Sequence, residues 1–252
     1  MSQVNRDVLT QYLNELLKPE GFKDYCPNGL QVEGRDEIRH LVCGVTANQA
    51  LLDLAVAEQA DAILVHHGWF WRGESGSVTG IKRNRLKTLL ANDINLYAYH
   101  LPLDAHPELG NNAGLALAGG WNQTGVFGEQ GLGCIGTPAV PKTVGKLVAD
   151  LDKALGRLPL VLAESLEQPV RHIAWCTGGA QGYFEAAIAA GADVFVTGEI
   201  SEPMVHVARE TGVAYIAAGH HATERFGVQA LGLSLADRFG IDVRYLEVDS
   251  PV

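Results

Sequence analysis

Two periods of apolar residues alternate along this chain. A helical period through Val8, Leu9, Tyr12, Leu13 and Leu16 predicts a helix over residues 5–17, with Asn5 as its cap. Short unbroken apolar runs follow, and these read as strands buried on both faces. The clearest is Ala62-Ile63-Leu64-Val65, bounded by Asp61 and by His66-His67-Gly68. Further strands are predicted at 30–32, 38–45, 94–99, 158–162, 170–176, 193–197, 213–218 and 243–248. Helical spacing predicts helices over 49–59 (capped by Asn48), 80–91, beyond Asn111-Asn112, 180–190, 202–210 and on to about Phe239. Pro141 suits the first turn of a helix running to Leu155. Strand and helix alternate, which argues for an α/β protein with a largely parallel sheet.

The pattern repeats. Ala60–Val65 aligns with Ala192–Thr197 at a shift of 132, which also sets Gln49 on Gln181, Asp53 on Glu185, Ala55 on Ala187 and His67 on Glu199. At a shift of 120, His100 and Asp104 fall on His220 and Glu224, both pairs spaced i, i+4 after an apolar strand. The organisation expected is a first α/β half (1–120), a small Gly-rich insert (121–169) and a second half (170–252), packed as one compact unit.

The chain has 252 residues, 47% hydrophobic and 19% charged, ordinary for a soluble globular protein. No apolar run nears a membrane span, and residues 1–7 lack the apolar core of a signal peptide, so a cytoplasmic protein is expected. The four Cys are scattered without a C-x-x-C, which argues against disulfides and a thiolate zinc site. A net charge of −10 opposes general adhesion to nucleic acid.

The chemistry gathers just past strand ends, where open α/β sheets bind ligands. Two repeated units paired about a pseudo-twofold would bring His66, His67, His100, Asp104, Glu199, His220 and Glu224 to one crevice. Imidazole and carboxylate donors without thiolate suit zinc, manganese, iron, nickel or cobalt. So many donors exceed one tetrahedral ion and fit a pair about 3.5–4 Å apart. Glu224 is the candidate bridge and Asp104 the terminal carboxylate. His100 is a ligand, a supporting partner or a proton carrier, and His221 is expected to support rather than ligate. His40, His106, His172 and His206 read as structural or surface residues. Trp69-Phe70-Trp71 is expected to pack rather than stack on a flat substrate. Lys82, Arg83, Arg85 and Lys87 read as a solvated helix face, and Gly178–Gly182 as a tight turn. P-loop, G-x-S-x-G, H-E-x-x-H and dinucleotide fingerprints are missing.

From Asp24-Tyr25-Cys26-Pro27-Asn28-Gly29-Leu30-Gln31-Val32-Glu33-Gly34 nearly to the C-terminus, the chain resembles the GTP cyclohydrolase I type 2 homolog family, the Nif-three-like proteins, in its short bacterial form. The likeness lies in Val65-His66-His67-Gly68, His100-Leu101-Pro102-Leu103-Asp104, Gly110-Asn111-Asn112, Thr197-Gly198-Glu199 and Gly219-His220-His221-Ala222-Thr223-Glu224. The resemblance implies duplicated, intertwined α/β halves in a toroidal homohexamer with dinuclear metal sites. It implies His66, His67, Asp104, His220 and Glu224 as ligands of two divalent ions per subunit, with His100 close by as a catalytic candidate. The family name implies hydrolysis of GTP, and related proteins are linked to damaged nucleotides.

Two functions follow. One is a dinuclear-metal-dependent hydrolase acting on GTP or another nucleotide through a metal-activated water. The other is a non-catalytic, metal-stabilised ring that binds a protein or nucleic-acid partner.

Overall fold

A computed structural model describes residues 2–252. The chain forms two compact units, one of residues up to Gly110 with Gly227–Asp249, the other of Asn111–Phe226 with Ser250–Val252.

In the first unit the strand order is Asp242–Tyr245, His40–Thr46, Ala62–His67, Asn95–Ala98, Gly29–Val32. The first three pairings are parallel and the last antiparallel. Along the Ala62 strand the side chains alternate between two cores. Ala62 and Leu64 pack with Leu9 and Leu13 of helix Arg6–Leu17 and with Leu231 and Leu235 of helix Arg225–Phe239. Ile63 and Val65 pack with Leu51, Leu52 and Ala55 of helix Gln49–Ala57 and with Leu89 of helix Gly80–Asn92. A strand segment covered on both faces must be apolar at every position, which is what Ala62–Val65 records. The Asn5 side chain accepts from Asp7 N and that of Asn48 from Leu51 N, so both predicted caps form.

The second unit's sheet runs Leu160–Leu162, Ala214–Ala217, Val194–Thr197, Ile173–Trp175, Gly133–Pro138, Trp121–Phe127. Its three central strands are parallel and its edges antiparallel. Leu115, Leu147, Leu151 and Leu155 cover one face. On the other, Phe184 stacks on Phe195 at 6.0 Å and meets Tyr215 edge-on at 4.9 Å.

The repeat extends to backbone detail. Leu41 pairs with Ala62, and Ile173 with Val194, each partner displaced by the shift of 132 read from the sequence. Asp61 Oδ2 accepts from Arg39 N and His40 N at 2.8 and 3.0 Å. Asp193 Oδ2 accepts from Arg171 N and His172 N at 2.7 and 2.8 Å, the same loop tied the same way.

Three readings change. Segment 121–169 does not stand apart as an insert, because it supplies both antiparallel edges of the second sheet. Pro141 lies ahead of its helix, which spans Val144–Leu155 and is capped by Thr143, while Lys142-Thr143 pair with Pro169-Val170. The helix expected over 180–190 opens with a 3-10 turn, Gln181–Tyr183, before Phe184–Ala189. Among the described residues no helix is long and apolar enough to cross a membrane.

Candidate metal centre

In the first unit the Ala62 strand runs through His67, so both imidazoles are strand residues. His66 is fully buried, and its Nδ1 lies 3.0 Å from the Tyr99 carbonyl. A carbonyl can only accept, so Nδ1 carries the proton and Nε2 keeps its lone pair. His67 Nδ1 meets Thr46 Oγ1 at 3.1 Å, a hydroxyl able to take either role.

His100 stands just past the Asn95–Ala98 strand and precedes helix Leu101–Ala105. Its Nδ1 lies 2.7 Å from Asp24 Oδ1. Asp24 also accepts from Asn28 Nδ2, Tyr25 N and Leu101 N, and Asn28 Oδ1 accepts from His100 N. Burial alone would raise the Asp24 carboxyl, but hydrogen bonding and charge from His100 outweigh it and hold it at about 2. The turn Asp24–Gly29 is thus a clamp on one imidazole, a role that turn composition alone does not reveal. Cys26 lies in the same group as Asp24 and His100. Burial pushes its thiol up to about 12.

His66, His67 and His100 present nitrogens near enough together to hold one ion. Their ring centroids lie 4.6 Å (His66–His67), 5.0 Å (His66–His100) and 5.6 Å (His67–His100) apart. Asp104, buried on helix Leu101–Ala105, brings Oδ1 to 3.5 Å from His66 Nε2. Trp71 stands edge-on to His100 at 5.0 Å and walls the cluster, whereas Trp69 is buried with its Nε1–H on the Ala47 carbonyl. The aromatic triplet therefore divides between packing and the site.

The second unit holds a matching set. His220 opens the short helix His220–Thr223 after the Ala214–Ala217 strand. Its Nδ1 lies 2.7 Å from Glu199 Oε1, and its Nε2 lies 3.1 Å from Glu224 Oε2. Burial alone would lower the His220 pKa, but Glu224 and then Glu199 raise it to about 9. Glu224 is almost fully buried. Donor atoms roughly 3–3.5 Å apart are spaced like neighbours in one coordination shell with bonds of ~2.1 Å.

A glycine loop makes room for this second set. Gly178, with φ 68°, lies so close to Glu224 that a Cβ would overlap Oε1. Its carbonyl accepts from Gly198 N, and its N–H reaches Thr223 Oγ1. The loop read as a plain tight turn therefore fits directly against the carboxylate.

The expected donors thus gather as His66, His67, His100 and Asp104 in one unit, and as His220, Glu224 and Glu199 in the other. Four of the other histidines are engaged locally: His40 with Asp242, His172 with Asp193, His206 with Glu202, and His106 as acceptor from Glu108 N and Leu109 N. Asp24 and Thr46 hold imidazoles of the first set and Gly178 makes room for the second, roles that residue type and spacing do not reveal.

The Duf34/NIF3 (NGG1p interacting factor 3) family model matches residues 4–251. A Pseudomonas aeruginosa protein named GTP cyclohydrolase 1 type 2 homolog is 54% identical over 250 residues, covering 96% of this chain and 97% of that one. The Escherichia coli K12 protein of the same name is 50% identical over 244 residues, covering 96% and 98%. A solved structure described as protein ybgI, of unknown function, matches with a TM-score of 0.95 at 48% identity, covering 99% of this chain and all (100%) of its own. A Thermus thermophilus protein gives a TM-score of 0.89 at 35% identity, with coverage of 99% and 100%.

Proposed function

The chain belongs to the Duf34/NIF3 family, and from that premise we propose that it is a divalent-metal-dependent hydrolase acting on GTP or another nucleotide. The observation that carries this reading is the common arrangement of its imidazoles. His66, His67, His100 and His220 each engage Nδ1 with a carbonyl, hydroxyl or carboxylate, the pattern that fixes histidine tautomers in metal sites. In this reading His66, His67 and Asp104 of the first unit, and His220 and Glu224 of the second, are ligands for two ions per chain of zinc, manganese, iron, nickel or cobalt. Such ions supply Lewis acidity and ionise water near neutral pH. His100, held by Asp24, moves a proton at its Nε2, and Trp71 keeps bulk water off that edge. The nucleotide class is supported by the name that the relatives carry. The same reading has the chain work in the cytoplasm as a toroidal homohexamer, which light scattering on the eluted protein checks.

The test is metal analysis by plasma mass spectrometry together with turnover of GTP and a panel of nucleotides. The expected result is about two ions per chain and turnover that Glu224→Gln abolishes. A fully loaded protein that turns over no more than Glu224→Gln removes the hydrolase reading for those substrates and leaves a binding ring.

A further inference from the structure

A cavity of about 340 Å³ lies between the loop after the Ala62–His67 strand and the first turns of helix Gly80–Asn92, within the first unit. Arg85, Lys82, Ser75, Ser77, Thr79 and Trp69 line it. The Nε of Arg85 is buried and makes no hydrogen bond. A guanidinium stays charged at any working pH, and among the described residues no carboxylate pairs with this one on the cavity wall. Lys82 is fixed nearby, donating to the Ser75 carbonyl at 2.9 Å and lying over the Phe70 ring at 5.1 Å. The carboxylate of Glu74, 3.9 Å from Lys82 Nζ, also lines the cavity, so the two cations leave one net positive charge.

We propose that this cavity is a binding site for a phosphoryl group. Arg85 offers a planar fork that matches two phosphate oxygens. The Lys82 ammonium and the hydroxyls of Ser75, Ser77 and Thr79 supply more donors than the two oxygens of a carboxylate could use. The same loop carries Trp71, whose ring meets His100. As a handle for a nucleotide tail the site rests on the function proposed above. As an anion site it does not.

The experiment uses the full chain stripped of metal with a chelator, so that bound ions cannot capture the probe. Inorganic phosphate is titrated and followed by phosphorus NMR and calorimetry, with GMP and guanosine as further probes. Saturable phosphate binding is expected in the unaltered protein, weakened roughly tenfold or more by Arg85→Gln. Arg83→Gln, on the same helix but outside the cavity, is expected to bind as the unaltered protein does. Competition by GMP but not guanosine identifies a phosphate ester as the ligand, and binding of phosphate alone identifies the free ion. Should Arg85→Gln fail to fold, Arg85→Lys and Ser77→Ala are each expected to weaken binding. No saturable binding, or equal binding with and without Arg85, overturns the proposal and leaves the metal reading intact.

Discussion

Gly178→Ala is the sharpest single perturbation of the second donor set. Gly178 adopts φ 68°, where a side chain costs about 1–2 kcal/mol. The new Cβ would overlap Glu224 Oε1, and would stand 2.9 Å from Glu224 Cδ and 3.3 Å from His220 Nε2. The backbone cannot retreat easily, because Gly178 N–H is held by Thr223 Oγ1 at 3.0 Å and its carbonyl accepts from Gly198 N at 2.8 Å. The carboxylate must move, and it is buried, so its displacement adds a cost similar to that of the strain. Together these are expected to lower the melting temperature by roughly 5–15 °C. Because Glu224 is the displaced group, bound metal is expected to fall with it, read by plasma mass spectrometry on protein dialysed against limiting metal. Gly182→Ala is the control. Its Cβ meets nothing within 4 Å, so it is expected to change stability by less than about 0.5 kcal/mol and metal content not at all. A Gly178→Ala protein with full metal content and an unchanged melting temperature refutes the argument.

Two further outcomes follow from the same contacts. The folded-state His220 pKa lies near 9, above its ordinary 6.5, so in metal-free protein its stabilisation is complete below pH ~6.5 and is lost as pH rises through 9. Urea denaturation at pH 6 and 9.5 is expected to show this fall, and Glu199→Gln to shrink it; equal slopes in the two proteins would count against the pair. Asp193→Ala removes the acceptor of two backbone N–H groups and is expected to cost about 1–3 kcal/mol. Asp61→Ala is expected to cost more, because Asp61 also pairs with Arg35 at 2.7 Å; chemical denaturation of both variants ranks them, and the reverse order would argue against it.

The elements were legible where local and global demands agree. The run Ala62–Val65 has apolar residues on both faces because two cores need them, and Asn5 and Asn48 cap where their helices begin. The duplication was legible because Asp61 and Asp193 do the same backbone work, so residue type and spacing persist together. What stayed hidden was long-range. Nothing around Asp24 announces a contact with His100, 76 residues away. A glycine pressed against a carboxylate reads in sequence like any turn glycine. The strands Trp121–Phe127 and Gly133–Pro138 lie in a glycine-rich stretch without a continuous apolar run, so their membership in a larger sheet rests on partners far along the chain.

The return of Gly227–Asp249 to the first unit sets an order on synthesis. Strand Asp242–Tyr245 lies on the edge of His40–Thr46, and Leu231 and Leu235 cover the sheet beside it. A nascent chain therefore has the second unit's strands in hand before the first unit can close. Until residues 227–249 leave the ribosome, the His40–Thr46 edge and the apolar face under Leu231 stand open to other chains. Loss of that late segment would strike the unit made first, the one that carries His66 and His67.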